Sequence, residues 1–158
     1  VIATESLPDQ DFVKKHNIDL VTLNSLLKKS DYISLHCPLT DQTRGIINSQ
    51  TLALMKTEAS IVNTARGGLI IEADLVNALK SGIIANAGLD VFEQEPTALD
   101  NPLYELDNVI LSPHIAGSDH LSRQEMGFEA ANNIIDLANG RWPDGSVINI
   151  ELKDEWNW

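Results

Sequence analysis

Apolar residues along this chain gather into short runs, and the stretches between them carry helical spacing. The runs at 1–4, 20–23, 32–36, 60–64, 85–91 and 109–112 are rich in Ile, Val and Leu and lack regular polar alternation. That pattern predicts strands buried on both faces. Between them, Asn24 stands where it can cap "SLLKKS", and Asn48 where it can cap "SQTLALMK". "EADLVNALKSG" sets Leu75, Val76 and Leu79 on one face and closes at Gly82, a residue suited to follow a helix end. A longer helix is expected after Ser118, with Leu121, Met126, Ala130, Ile134 and Ala138 among its apolar positions and a stop at Asn139-Gly140. Strand–helix alternation of this kind predicts an α/β fold, an open parallel sheet with right-handed crossovers. The final segment, "RWPDGSVINIELKDEWNW", is mixed and aromatic and reads as a tail that packs on another domain or subunit.

Composition narrows the picture. A chain of 158 residues with 43% hydrophobic content has room for one domain with its own core. Its 11 basic and 23 acidic residues give a net charge of −12, which repels phosphate backbones and argues against nucleic acid as a partner. The single cysteine, Cys37, excludes an internal disulfide and suits a reducing compartment. No apolar run has the length to span a bilayer, and the opening residues do not resemble a signal peptide. Cytoplasmic residence is the expectation. The chain opens on Val1, directly in a predicted strand, which suggests a piece of a longer protein.

In open α/β sheets, ligands bind beyond the carboxyl ends of the strands, and the unusual residues of this sequence fall there. "YISLHCP" ends in His36, Cys37 and Pro38; "SIVNTARGGLI" turns at Thr64 and Arg66; "NAGLDVFEQEP" yields Asp90 and Glu95; "VILSPHIAG" delivers His114 and Gly117. Each has a simpler reading: a solvated arginine, a histidine bonded to a carbonyl, a surface glutamate, a cysteine serving as a small hydrophobe. His36 reads as structural, and His16 and His120 as helix-surface residues. No His, Cys or carboxylate spacing resembles a metal-ligand set. Together, however, Arg66, Glu95 and His114 form a chemically coherent group. A histidine exchanges protons near neutral pH, a carboxylate beside it fixes its tautomer, and a guanidinium fork grips a small carboxylic acid. Those roles suit a 2-hydroxy or 2-oxo acid.

The segments "SDYISLHCPLTDQTRGIIN", "MKTEASIVNTARGGLIIEADLVNALKSG", "AGLDVFEQEP" and "NVILSPHIAG", in this order, resemble the D-isomer-specific 2-hydroxyacid dehydrogenases, the phosphoglycerate dehydrogenase and hydroxypyruvate reductase branches above all. The likeness runs from Val1 to about Gly140. It implies an NAD-dependent oxidoreductase that interconverts a D-2-hydroxy acid and its 2-oxo acid. Under that resemblance Arg66 binds the substrate carboxylate and carbonyl, His114 passes a proton to the carbonyl oxygen, and Glu95 pairs with His114. Glu5 takes the place of the acidic residue that binds the adenine ribose, favouring NAD over NADP. Cys37 and Pro38 lie by the adenine ribose, Thr64 and Asp90 near the nicotinamide, and Gly117 where backbone approaches it. Family members are usually dimers, so a homodimer is expected.

The same resemblance places a glycine-rich phosphate loop ahead of "VIATE", and a substrate domain elsewhere in the protein; neither is present in this sequence. The implied organisation is an incomplete Rossmann-type domain over 1–117, lacking its first strand and glycine-rich loop. A C-terminal helix and tail over 118–158 would return toward the substrate domain. Such a fragment is expected to be inactive alone. Nucleotide-sensing corepressors share the family likeness, so a scaffold role, or an inactive truncated folding unit, stands beside the enzyme as an alternative.

Overall fold

The computed structural model describes residues 1–156, so the last two residues of the predicted tail lie outside the described residues. The chain divides into two compact units, residues 1–114 and 115–158. The first holds six strands, all pairing in parallel. β1 (Ile2–Ala3) pairs with β2 (Asp19–Leu20), and β3 (Tyr32–Leu35), β4 (Ser60–Asn63), β5 (Asn86–Leu89) and β6 (Val109–Leu111) form a second sheet in that order. Every predicted strand is present but shorter, and β2 begins one residue before its predicted start, at Asp19.

β1 and β3 are not hydrogen-bonded to each other. A cavity of about 500 Å³ lies between them, lined by Ile2 and Ala3 on one side and Ile33 and Leu35 on the other. The facing edges of β1 and β3 are thus left without a strand partner among the described residues.

The helices follow the sequence with informative exceptions. α2 (Leu23–Lys29) is capped by Thr22, whose Oγ1 accepts from Ser25 N at 3.3 Å, rather than by Asn24. Because Thr22 takes the cap, Leu23 belongs to the helix and the preceding strand stops at Leu20. Asn48 caps α3 (Ser49–Leu52) as expected, in a reciprocal capping box with Thr51. That helix is shorter than "SQTLALMK", because Leu54 N and Met55 N bond back only three residues and turn the chain toward β4. α4 (Glu72–Lys80) buries Leu75, Val76, Ala78 and Leu79, and Gly82 follows it at φ +69°, a left-handed position natural to glycine. A short helix, α1 (Gln10–Lys15), is capped by Asp9, buries nothing and precedes His16, which the sequence places on a helix surface.

The strands are not buried on both faces as their composition predicted. In register, Ile33, Ile61 and Ala87 form one buried row, and Leu35, Asn63 and Leu89 the next. The intervening row, Ser34, Val62, Gly88 and Ile110, faces the opposite side, where Val62 and Ile110 are exposed. One face therefore carries the core, into which Leu27, Leu52, Leu69 and Leu75 are fully buried. Each such side chain contributes about 1.5–3 kcal/mol.

The second unit consists of α5 (His120–Ala138), capped by Asp119, followed by turns. Leu121, Met126 and Ile134, predicted as its apolar positions, are exposed, as are Phe128 and Ile135. In the tail, Trp142 and Trp156 meet edge to face.

Candidate functional site

The register of the parallel sheet sets the site. Asn63, Leu89 and Leu111 stand in one row at the carboxyl ends of β4, β5 and β6. Arg66 and His114 each follow that row by three residues, so the loops after β4 and β6, on either side of β5, bring them off the sheet at the same level.

Glu95, six residues beyond Leu89, reaches the third loop. Its Oε2 lies 2.7 Å from Nδ1 of His114, and its Oε1 accepts from Phe92 N at 2.9 Å. Both carboxylate oxygens are thus engaged. The hydrogen bond from the His114 ring, and secondly that from Phe92 N–H, hold the Glu95 carboxyl below the usual carboxylate range. His114 itself sits at φ +55°, in the left-handed region, and its backbone N–H donates to Asp90 O at 2.8 Å. A non-glycine residue in that conformation, tied both through its ring and through its backbone, marks a place where geometry is held for a purpose. The side chains of His114 and Glu95 remain 51% and 36% exposed, and with Pro96, Thr97, Tyr104 and Ser112 they border a cavity of about 380 Å³.

Asp90 is 3% exposed, and Ser112 Oγ donates to its Oδ1 at 2.5 Å. Together with the backbone bond from His114, this fastens the end of β5 to the loop that carries His114.

Arg66 is not among the residues bordering that cavity. Its Nη1 donates to the adjacent Ala65 carbonyl at 2.6 Å, and no carboxylate pairs with it among the described residues. Asn63 shapes its loop from beneath. It is buried, its Nδ2 donates to Arg66 O at 2.9 Å, and its Oδ1 accepts from Ala65 N at 3.1 Å. The link to His114 runs through Gly67. A Cβ there would stand 1.8 Å from Phe92 O, so the residue after Arg66 lies directly against the residue that donates to Glu95. Close approach, rather than room to turn, is what this position demands. The polar Asn63 inside an apolar strand was the signal in the sequence for this arrangement; Ser112, flanked by Leu111 and Pro113, gave a weaker one.

The other predicted residues divide into groups. Glu5, Cys37 and Pro38 border the larger cavity between the two sheets. Glu5 Oε1 accepts from Ser6 N at 2.7 Å, from Leu7 N at 3.2 Å and from Ser6 Oγ at 3.2 Å. The backbone N–H groups of Leu7 and Ser6 hold its carboxyl below the usual range, and Oε2 accepts no hydrogen bond among the described residues. A fixed, ionised carboxylate with one oxygen to spare fits a vicinal ribose diol. Cys37 is half-buried rather than fully buried, and burial pushes its thiol pKa up. Thr64 is exposed beside Asn63. Gly117 lies in the second unit, where a Cβ would meet nothing within 4 Å. His36 bonds Ser34 Oγ through Nε2 at 2.8 Å, His16 ends α1 against the ring of Phe12, and His120 opens α5 exposed. No group of three metal-ligating side chains occurs among the described residues.

The chain is similar in sequence and fold to known proteins. Residues 1–116 match the family model "D-isomer specific 2-hydroxyacid dehydrogenase, NAD binding domain". The chain is 43% identical over 152 residues to a glyoxylate reductase of Korarchaeum cryptofilum, covering 96% of this chain and 46% of that protein. It is 39% identical over 150 residues to a D-3-phosphoglycerate dehydrogenase of Archaeoglobus fulgidus, covering 95% and 28%. The crystal structure of D-lactate dehydrogenase with NAD+ from Lactobacillus jensenii superposes with a TM-score of 0.83 at 31% identity, over 91% of this chain and 47% of that one. The chain thus spans less than half the length of these relatives. It belongs to the D-isomer specific 2-hydroxyacid dehydrogenases, as their NAD-binding domain.

Proposed function

We propose that this chain is the cofactor-binding half of an NAD-dependent dehydrogenase that interconverts a D-2-hydroxy acid and its 2-oxo acid, of the phosphoglycerate or hydroxypyruvate/glyoxylate type. The observation that carries the reading is the 2.7 Å pair between Glu95 and His114, set at the same level beyond the sheet as Arg66. Bound NADH supplies a hydride to the substrate carbon. Arg66 grips the substrate carboxylate through two parallel hydrogen bonds and polarises the adjacent carbonyl. His114 holds a proton on Nε2 and releases it to the carbonyl oxygen, while Glu95 keeps Nδ1 protonated and stabilises the imidazolium. In the oxidative direction neutral His114 receives that proton.

Thr64, Asp90 and Gly117 serve the nicotinamide end, and Cys37 and Pro38 the adenosine end. Glu5 accepts from the adenine ribose hydroxyls. Its fixed negative charge repels a 2′-phosphate, so Glu5→Ser should narrow the preference for NADH over NADPH by about tenfold, read from the two kcat/KM values. An unchanged preference would remove Glu5 from that role.

Residues 118–158 carry the chain back toward the substrate domain. The exposed Leu121, Phe128 and Ile134 of α5 support pairing with a second copy in a homodimer. One half-buried free cysteine and the lack of any described helix long and apolar enough to cross a membrane fit a cytoplasmic enzyme.

The pH dependence of Glu95→Gln tests the pair. Because the folded carboxyl is held below its ordinary value of about 4.3, the stability it contributes is present above that value and is lost as pH falls through the lowered one. The wild-type pair therefore stays charged on the Glu95 side across pH 5–8. Glu95→Gln keeps an acceptor for the ring but discards the charge. Reduction at pH 7 should fall about tenfold to a hundredfold, and the acid loss of stability that comes from protonating Glu95 should be absent. A profile identical to wild type would separate Glu95 from the chemistry.

A further inference from the structure

The segment that carries Glu95 has little packing to locate it. Residues 93–96 are all exposed, so burial does not fix where the carboxylate stands. Its place depends on hydrogen bonds, and one side chain of α4 supplies them on both sides of Glu95.

Glu72 opens α4, and Ile71 before it has no side chain able to cap the helix. The N–H of Glu72 is met from another loop instead, by Glu93 Oε2 at 3.3 Å. Glu72 returns the bond: its Oε2 accepts from Glu93 N at 3.2 Å, and its Oε1 accepts from Asn101 Nδ2 at 2.7 Å. Asn101 is buried, and its Oδ1 accepts from Leu103 N at 2.9 Å, which anchors that end in the turn that follows. At the other end, a Cβ on Gly67 would stand 2.6 Å from Glu93 N, so the same backbone nitrogen lies against the loop that carries Arg66. Among the described residues Glu72 forms no ion pair, and both its oxygens serve the segment 93–101. Next to Glu93, Phe92 N donates to Glu95 Oε1 at 2.9 Å, and Glu95 Oε2 meets His114 Nδ1 at 2.7 Å. An unbroken series of contacts thus runs from Glu72 to the His114 ring.

We infer that Glu72 is a positioning residue for the reduction: it holds the two ends of segment 93–101 and thereby sets how Glu95 meets His114. The inference rests on the dehydrogenase reading above and deepens it. Glu72 acts through Glu95 rather than on the substrate. Its effect therefore belongs to kcat, because a misplacement of about 1 Å in the group that orients the imidazole costs up to about a hundredfold, while Arg66 still grips the acid.

The test is a double-mutant cycle on the full-length protein. It uses whichever of glyoxylate, hydroxypyruvate, pyruvate and 3-phosphohydroxypyruvate the wild type reduces fastest. The kcat, both KM values and the thermal unfolding midpoint are measured on the same preparations. Glu72→Gln keeps the length and one acceptor but turns an amide nitrogen toward the other donor. It should lower kcat about tenfold, with both KM values within about twofold of wild type. In a Glu95→Ala background the same substitution should lower kcat by less than about twofold, because the group it positions is already gone. Glu72→Asp keeps the negative charge at the start of α4 but is too short to reach both donors, and should lose kcat as Gln does. An unchanged kcat in Glu72→Gln, a loss confined to KM, or an equal fold-loss in the two backgrounds would each overturn the inference. So would a wild-type kcat in Glu72→Asp, which would leave Glu72 a helix-stabilising charge and no more. A wild type that consumes no NADH on any of the four acids would strike the dehydrogenase reading, and this inference with it.

Discussion

Replacing His114 with asparagine in the full-length protein should lower turnover by about 10²- to 10⁴-fold, the range a positioned general acid supplies, while leaving the fold intact. Asparagine is chosen because the position sits at φ +55°, where it is among the few non-glycine residues that fit readily. The backbone bond from residue 114 to Asp90 O survives the change, and the lost pair with Glu95 is half exposed. Stability should therefore fall by about 1 kcal/mol or less. NADH affinity should hold, since the ring acts on the substrate oxygen. The comparison is made by steady-state kinetics and thermal unfolding on the same preparation. Full turnover in the variant would leave the reduction without its proton donor and sink the assigned role. Loss of turnover together with loss of folding would be separated by His114→Gln, which again has no titrating ring.

The second large effect is expected at Gly67. Its Cβ would fall 1.8 Å from Phe92 O and 2.0 Å from Phe92 C, far inside van der Waals contact and against backbone that cannot rotate away. Gly67→Ala must part the Arg66 loop from the loop in which Phe92 N holds Glu95. The cost should reach about 3 kcal/mol, the upper end for overpacking, and turnover should be lost with it. Gly88→Ala is the control. It lies in the neighbouring strand, and its nearest contact would be an ordinary 3.7 Å to Val62. Thermal unfolding of the two variants decides the matter, and similar midpoints would mean that the two loops are not locked together as described.

What the sequence disclosed, and what it withheld, follows from the physics of each residue. The strands were legible because Ile, Val and Leu concentrate in them, and Arg66, Glu95 and His114 stood out as reactive groups at strand ends. Burial on one face only was hidden, because Val62 and Ile110 are as apolar as the Ile61 and Leu89 beside them in the sheet. The α2 cap was misplaced since Thr22 and Asn24 are both capping residues, and only the bond from Ser25 N separates them. The bounds of α1 were not legible, although His16 reads as a helix-surface residue, because the helix buries none of its residues and so shows no apolar stripe. The need for glycine at 67 was out of reach for another reason. It arises from Phe92, twenty-five positions away, and no local pattern encodes a contact between loops.

The measurement closest to the central claim is the disappearance of NADH absorbance when the full-length protein meets glyoxylate, hydroxypyruvate, pyruvate or 3-phosphohydroxypyruvate. Consumption of NADH with at least one of these acids, giving the D-hydroxy acid, is the predicted result. Tight binding of NADH with no consumption on any of them would contradict it, and would make this domain a nucleotide sensor that keeps the residues of an enzyme.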